Sequence, residues 1–366
     1  MKKKVLSLML CMAMVASIFV GCGSSSSSDT SSESGDAAET TETAADDTTS
    51  SGGGTYALVT KSSGNPYNEK MAEGFEEVVE SLGGTAIVKH PESATADAQI
   101  TEIQSLISQG VDSIAVAAND ENALQAVLEE AMDAGIKVSC LDSAVNPDSR
   151  QIFCNQAGVT EVAQALMDAV YDISGGSGQW AIVSASSQAT NQNAWIDAMK
   201  EIAAADDKYA DLELVDIQYG DDEPEKSTNV TQAILTNYPD VKVICAPTTV
   251  GIAAAAKVLQ DQGSSAKLTG LGLPSEMAEY IGDDDAHSCP YMFLWNPIDL
   301  GKLSAYTSAA LVDGTITGAA GDTFEADGLE ASPYTVVEAS DGGTEVILGA
   351  PYKFDPSNID EWKDVY

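Results

Sequence analysis

The chain has 366 residues and a formal net charge of −40, from 17 Lys and Arg against 57 Asp and Glu. So acidic a protein is a poor partner for nucleic acid, whose phosphates are bound through Lys and Arg. Its apolar content of 44% is sufficient for a hydrophobic core. If the N-terminal segment of unusual composition, residues 1–54, is left out, about 310 residues remain for folded structure. This length is enough for two domains.

Residues 1–21 have the pattern of an export signal. Three lysines follow the first methionine, residues 5–20 are almost wholly apolar, and Gly21-Cys22 follows. The apolar run is too short, and too soon followed by polar residues, to be a spanning helix. The cysteine resembles that of a bacterial lipoprotein lipobox, which implies that Cys22 is acylated and holds the protein at the outer face of the cytoplasmic membrane, at the cell surface or in the periplasm. Ordinary secretion with an incidental Cys22 is the alternative.

Residues 22–54 are predicted to form a disordered acidic tether. After Cys22 the segment consists of Ser, Thr, Gly, Ala, Asp and Glu, with no aromatic residue and no Lys or Arg. Such a segment cannot bury enough apolar surface to offset the entropy lost on ordering. We therefore expect a flexible spacer between the membrane and a globular body.

From residue 56 the chain alternates strand-like and helical patterns in two series. In the first predicted helix, Met71, Phe75, Val78 and Leu82 lie on one face. Strands that alternate with helices of this length predict right-handed crossovers and parallel sheets. The expected fold is therefore α/β, with two Rossmann-like lobes. The predicted strands are 56–60, 85–88, 111–118, 136–141, 180–184, 212–219, 241–246, 268–273 and 291–295.

The cysteines of the predicted body indicate neither a metal site nor a redox site. Cys140 and Cys245 lie in apolar strand-like runs, which favours buried thiols. No C-x-x-C spacing occurs. A disulfide between Cys140 and Cys154 is the alternative to free thiols in an oxidising compartment. No cofactor and no metal are predicted.

Polar and aromatic residues follow the predicted strands, at the edge where open parallel sheets bind ligands. Asp and Asn can exchange hydrogen bonds with vicinal hydroxyls, and an aromatic ring can cover the apolar face of a sugar. Each residue also has an ordinary structural explanation, since such residues begin helices, cap them or fill cores. The segments are Lys61 to Tyr67, Asn119-Asp120, Asp142-Ser143, Thr190 to Trp195, Pro247 to Thr249 and Trp295 to Asp299.

These segments make the chain similar to the type 1 periplasmic sugar-binding proteins of ABC transporters, in the rhamnose and autoinducer-2 receptor branch, from about residue 56 to about 312. The resemblance implies two lobes joined by a three-strand hinge, with crossings near 153–156, 273–275 and 296–299. It implies an N-terminal lobe of 55–154 plus about 297–325, and a C-terminal lobe of 155–296 plus about 326–366. The matching motifs are Lys61 to Tyr67, Ala118 to Asp120, Asp142-Ser143, Ala189 to Trp195, Ala246 to Thr248, Gly270 to Met277 and Trp295 to Gly301.

The resemblance also implies a ligand site between the lobes. Lys61 would donate to a ligand hydroxyl and Asp142 would accept from two. Autoinducer-2 receptors have Asp-Gln and Pro-x-Ala where this chain has Asn191-Gln192 and Pro247-Thr248-Thr249. These departures favour a rhamnose-like sugar and leave autoinducer-2 open. The expected ligand-binding residues are Lys61, Asn65, Tyr67, Asp120, Asp142, Asn191, Gln192, Trp195, Pro247, Thr249, Asn296 and Asp299.

The expected function is that of a monomeric receptor, attached to the membrane only through lipid, which captures a monosaccharide and delivers it to the permease subunits of an ABC importer. The alternatives are an autoinducer-2 receptor and a subunit that presents ligand to a chemoreceptor or kinase. An enzyme is not expected, because His90 and His287, the two histidines, lie in no metal or hydrolase motif. A transcription regulator is not expected either, because an export signal stands where a DNA-binding helix pair belongs.

Overall fold

The structure is a computed structural model that describes residues 53–366. The predicted export signal, Cys22 and nearly all of the predicted tether lie outside the described residues. Within residues 53–366, no helix combines the length and the hydropathy needed to cross a membrane.

The described residues form α-helices and β-strands that alternate over most of the chain. The strands are β1 (Thr55–Val59), β2 (Thr85–Lys89), β3 (Ser113–Val116), β4 (Lys137–Leu141), β5 (Ile152–Asn155), β6 (Gly178–Ser184), β7 (Leu212–Tyr219), β8 (Val241–Ala246), β9 (Lys267–Gly270), β10 (Met292–Leu294), β11 (Thr323–Phe324), β12 (Tyr334–Thr335), β13 (Val337–Glu338), β14 (Thr344–Ile347) and β15 (Tyr352–Phe354). The helices are α1 (Pro66–Ser81), α2 (Ala96–Gln109), α3 (Gln125–Asp133), α4 (Val159–Ser174), α5 (Thr190–Ala205), α6 (Pro224–Asn237), α7 (Thr249–Gln262), α8 (Pro274–Met277), α9 (Pro297–Asp313) and α10 (Ile359–Trp362).

Two sheets define two lobes. The first lobe contains a seven-stranded sheet of order β13-β14-β5-β4-β3-β1-β2, parallel except for the β13–β14 hairpin. The second contains a parallel sheet of order β7-β6-β8-β9. A bridge between Leu271 and Phe293 leads from this sheet to the antiparallel pair β10–β15. In both lobes the chain leaves the carboxyl ends of the strands toward the same cleft, as open parallel sheets require of a ligand site.

Helices α1 and α9 pack closely against each other in the first lobe. A Cβ atom on Gly301 would lie 1.9 Å from the carbonyl oxygen of Met71, so only glycine permits this approach. Both helices begin near the cleft. Asn65 caps α1 by accepting from the N–H of Tyr67 at 3.0 Å, and Asn296 caps α9 by accepting from the N–H of Ile298 at 2.9 Å.

The chain passes between the lobes at three places. The segment after β5 leads to α4, which packs in the second lobe against α5 and β8, and the segment after β10 leads back to α9. The third passage joins β14, paired with β5, to β15, paired with β10. The predicted crossing at 273–275 is wrong, because this segment begins α8, which packs on α7 and α10 within the second lobe.

The third passage also corrects the predicted lobe division. Residues 326–366 were expected in the C-terminal lobe, but β13 and β14 extend the sheet of the first lobe. The remaining lobe boundaries stay a prediction.

Cys140 and Cys154 lie on opposite faces of the first sheet. In the pairing of β4 with β5, Cys140 is opposite Phe153 and Cys154 is opposite Leu141, so the two sulfurs point into different cores. Both are free thiols within the described range, as are Cys245 and Cys289. Burial raises the pKa of Cys140 to about 11 and that of Cys154 to about 12. The alternative of a Cys140–Cys154 disulfide is therefore wrong.

Candidate ligand-binding cleft

A cleft lies between the lobes at the carboxyl ends of both sheets, and we call it the interlobe cleft. It encloses about 380 Å³, including open solvent at its mouth. Its lining residues are Lys61, Asn65, Tyr67, Asn68, Asp142, Asn191, Gln192, Trp195, Asp222, Pro247, Thr248, Thr249, Leu271, Leu294 and Trp295.

Asp142 enters the cleft through a sharp turn at the end of β4. Its φ angle is 62°, in the left-handed region that Asp tolerates better than most residues. The hydroxyl of Ser143 donates to the carbonyl oxygen of Ala118 at 2.6 Å and ties the turn to the end of β3. The chain thus leaves the sheet abruptly, and the Asp142 side chain remains at the strand end, only 4% exposed.

Three polar side chains from both lobes form one hydrogen-bonded group in the cleft. The Lys61 Nζ atom lies 3.0 Å from Asp142 Oδ2 and donates to Asn191 Oδ1 at 3.0 Å. Asn191, in the first turn of α5, donates from Nδ2 to Asp142 Oδ2 at 3.3 Å. Lys61 and Asp142 belong to the first lobe and Asn191 to the second, so these bonds join the two lobes directly.

Aromatic rings form the apolar part of the cleft. Tyr67 donates its hydroxyl hydrogen to Asp142 Oδ1 at 2.9 Å and accepts from Trp295 Nε1 at 2.6 Å. Burial and the neighbouring Asp142 charge hold the pKa of Tyr67 well above its usual value, so the phenol stays protonated. The Trp195 and Trp295 rings lie 5.7 Å apart between centroids and are nearly fully buried. The rings thus offer a rigid apolar surface beside the charged group.

The second lobe contributes two further polar groups. Asp222, whose φ angle is 53°, accepts a hydrogen bond from the Thr248 hydroxyl. Burial raises the pKa of the Asp222 carboxyl. The Oε1 atom of Gln192 is buried and has no hydrogen-bond partner among the described residues. A bound hydroxyl could satisfy this acceptor, which is costly to leave unpaired.

Most of the expected ligand-binding residues line the interlobe cleft, but Asp120, Asn296 and Asp299 do not. Asp120 accepts from the backbone N–H groups of Asn122 and Ala123 at 2.9 and 2.8 Å. Asn296 caps α9, and its Nδ2 donates to Asp299 at 2.9 Å. These three residues stabilise a turn and a helix start, which corrects their expected role.

Several lining residues were not expected from the sequence. Trp295 and Thr248 stand inside motifs already quoted, so attention to whole motifs would have found them. Asp222 follows β7 in a Gly220-Asp221-Asp222 turn, and the position at a strand end is the signal that could have identified it. Asn68, Leu271 and Leu294 carry no distinctive local signal.

The lining combines amides, carboxylates, one ammonium group and indole rings. Within the described part of the chain, no group of three or more His, Cys, Asp or Glu is placed to hold a metal ion. In a comparison with known protein families, the family model described as periplasmic binding protein domain matches residues 56–316. The chain belongs to the periplasmic binding protein family.

Solved structures of similar proteins cover most of this periplasmic binding protein. An ABC transporter solute-binding protein from Clostridium phytofermentas, with bound L-rhamnose, is 61% identical; the match covers 86% of this chain and 99% of that one, with a TM-score of 0.84. A sugar ABC transporter protein from Actinomyces odontolyticus is 36% identical over 84% of this chain and 97% of that one, with a TM-score of 0.66.

Two more distant relatives give less information about this chain. LsrB from Clostridium saccharobutylicum in complex with AI-2 has a TM-score of 0.78 over 84% of this chain and 99% of that one, but at 21% identity this likeness shows the fold alone. The D-ribose/D-allose-binding protein of Pseudomonas aeruginosa is 27% identical over 202 residues, 52% of this chain. This chain spans 58% of the length of that relative.

Family membership bears on two expectations from the sequence. The expected α/β fold of a type 1 periplasmic binding protein, with two parallel sheets, is confirmed. The expectation of a binding protein in place of an enzyme is confirmed by the same match.

Proposed function

We propose that this periplasmic binding protein captures a monosaccharide, with L-rhamnose favoured, in the interlobe cleft and delivers it to the permease of an ABC importer. The observation that carries the proposal is the Lys61, Asp142 and Asn191 group, which joins both lobes beside buried indole rings. The L-rhamnose bound to the 61% identical relative supports the choice of sugar.

The cleft residues can divide the recognition of a sugar between them. Lys61 and Asn191 donate to ring or hydroxyl oxygens, while Asp142 accepts from hydroxyl hydrogens. Gln192 Oε1, which has no partner among the described residues, accepts in the same way. Hydrogen bonds to the charged groups are about twice as strong as neutral ones. The apolar face and the methyl group of a deoxy sugar can pack on Trp195 and Trp295.

A ligand held by residues of both lobes stabilises the arrangement in which the lobes meet. Such a ligand shifts a hinge equilibrium by its differential affinity for the two states. We propose that the three passages act as the hinge, and that a monomer in the closed form docks on the permease. Attachment through Cys22 would raise its effective concentration at the membrane.

Isothermal titration calorimetry with a ligand panel tests the proposed function. The panel contains L-rhamnose, autoinducer-2, D-ribose, D-allose, D-arabinose and an amino acid. We expect L-rhamnose to bind most tightly and, at 100 times its Kd, to stabilise the fold by about 2.7 kcal/mol. Tightest binding of autoinducer-2 would replace the proposed ligand. Binding of the amino acid with no response to any sugar would contradict the function.

Membrane fractionation tests the proposed anchor. We expect the wild-type protein to sediment with membranes, because acylation with two or more chains gives stable attachment. Cys22→Ser should release the protein or leave the signal uncut. A wild-type protein found wholly in the soluble fraction contradicts the anchor without affecting the ligand proposal.

A further inference from the structure

A second cavity adjoins the interlobe cleft on the side of the first lobe-to-lobe passage. It encloses about 740 Å³, including open solvent, and we call it the hinge-side cavity. Its walls come from loops of the first lobe, the segment after β5, the start of α5 and the β13–β14 hairpin. Representative lining residues are Glu121, Ala144, Gln156, Thr190, Ala339 and Glu345.

The two cavities share a wall. Asp142, Asn191 and Trp195 line both of them. The Nδ2 atom of Asn191 reaches Asp142 Oδ2 at 3.3 Å and the Asp142 carbonyl oxygen at 3.4 Å, which are long for hydrogen bonds. Rotation of the Asn191 side chain away from Asp142 would join the two spaces; it would also break the bond from Lys61 Nζ to Asn191 Oδ1 at 3.0 Å, which a ligand hydroxyl can replace.

The hinge-side cavity has hydrogen-bond acceptors without partners. Gln156 is 1% exposed, and its Oε1 atom has no hydrogen-bond partner within residues 53–366. The Thr190 Oγ1 atom is buried and equally unpartnered in that range. Burial of an unpaired acceptor costs free energy that a ligand hydroxyl can recover. These two atoms therefore favour a ligand with hydroxyl groups, which can donate to Gln156 and exchange a hydrogen bond with Thr190.

Two carboxylates of the cavity wall already have partners and do not call for a cationic ligand. Asp341 is paired with Arg150, whose guanidinium lies 2.6 Å away, and Glu345 accepts from Asn155 Nδ2 at 2.8 Å. Burial raises the pKa of the Glu345 carboxyl, which disfavours its charged form. A neutral polyol matches these groups, and the Trp195 side chain adds an aromatic surface to the same wall.

We propose that the hinge-side cavity receives a second sugar unit, so that the ligand is a disaccharide or glycoside whose terminal monosaccharide occupies the interlobe cleft. This inference rests on the proposed function and extends its ligand from a free monosaccharide to the terminal unit of a larger sugar. The glycosidic bond passes between Asp142 and Asn191, and the second ring supplies hydroxyl donors to Gln156 and Thr190.

Calorimetry on the wild-type protein tests the inference with L-rhamnose, methyl α-L-rhamnoside and two rhamnosyl-glucose disaccharides, rutinose and neohesperidose. We expect at least one disaccharide to bind about tenfold more tightly than L-rhamnose, through one or two added hydrogen bonds. The methyl glycoside controls for the anomeric substituent and should not show this gain. If neither disaccharide exceeds L-rhamnose, the inference is overturned while the proposed function stands. If no sugar binds, the proposed function fails first.

A variant that fills the hinge-side cavity tests whether the second sugar ring binds there. Ala339 lies on the β13–β14 hairpin and lines the hinge-side cavity but not the interlobe cleft. We expect Ala339→Trp to abolish the disaccharide gain and to leave L-rhamnose affinity within about twofold, with Ala339→Ser as the matched control. Equal losses of affinity for L-rhamnose and for the disaccharide, with an unchanged melting temperature, would overturn the assignment of the second ring to this cavity.

Discussion

The Nζ atom of Lys61 lies 3.0 Å from Oδ2 of Asp142, and the two side chains are only 10% and 5% exposed. A buried pair of this kind is poor evidence for stability, because desolvation offsets much of the Coulomb attraction. The pair instead holds the Lys61 and Asp142 side chains in place within the cleft. Asn191 from the other lobe contacts both members. The affinity of a ligand that bonds to the pair therefore depends on the arrangement of the two lobes.

Loss of the Asp142 carboxylate should weaken sugar binding strongly. We expect Asp142→Ala to cost about 2–4 kcal/mol of affinity, a factor of roughly 30 to 1,000, because ligand hydroxyls are left unpaired in a buried cleft. Calorimetry with L-rhamnose measures this. Asp120→Ala is the matched control, since Asp120 bonds only to backbone N–H groups outside the cleft. Wild-type affinity in a folded Asp142→Ala protein would remove the cleft as the binding site.

Removal of Lys61 alone should be more harmful to the fold than removal of both charges. Lys61→Met leaves the buried Asp142 carboxylate without its cation, and we expect a loss of about 3–5 kcal/mol of unfolding free energy. Adding Asp142→Asn removes the remaining charge and keeps an acceptor for Tyr67, so most of that loss should be recovered. Urea unfolding without sugar measures both variants. A double variant no more stable than Lys61→Met alone would show that the two charges are not coupled.

Asp222 should make stability depend on pH in a definite direction. Burial raises its pKa, with Asp142 and Asp221 acting in the same sense and Lys61 and the Thr248 bond acting against it. Its contribution to stability is fully present below the unfolded pKa, about 3.9, and is lost as pH rises through the folded value. Asp222→Asn keeps the acceptor for Thr248 and should remove this loss.

The measurement for Asp222 is the unfolding free energy of wild type minus variant, followed from pH 4 to 7. The difference isolates Asp222 from other partly buried carboxyls such as Glu276 and Glu345, which both proteins share. We expect the wild type to lose stability relative to Asp222→Asn as pH rises. A flat difference would mean that the carboxyl titrates normally.

Reductant should not change the stability of the folded protein. Cys140 and Cys154 face different cores and cannot be bridged without turning a strand over. A disulfide would contribute about 2–4 kcal/mol, so melting temperatures with and without dithiothreitol distinguish the two cases. A clear decrease with reductant would contradict the free thiols.

Local periodicity was enough to predict four of the seven strands of the first sheet and the helices between them. Strands β1 to β4 and helix α1 have clear apolar patterns, and parallel-sheet geometry alone brings Lys61 and Asp142 to one edge. Capping and ligand binding use the same residue types, so Asp120 and Asn296 could not be separated from true lining residues by sequence.

Other features depend on contacts between distant parts of the chain. Strand β14 is short, and its partner β5 lies almost two hundred residues earlier, so no local pattern indicates which sheet it joins. Asp222 reaches the cleft through a left-handed turn and a bond to Thr248, neither of which periodicity can reveal. The opposed faces of Cys140 and Cys154 follow from strand register, which a one-residue error in a boundary would reverse.

The return of β14 to the first sheet and of β15 to the second has a consequence for how the molecule is made. Residues 344–354 complete hydrogen bonding in both lobes, so neither lobe corresponds to a continuous stretch of chain. During synthesis, the edges of β5 and β10 stay unpaired until this late segment emerges. Neither lobe can therefore complete its hydrogen bonding before residues 344–354 are available, which couples the folding of the two lobes.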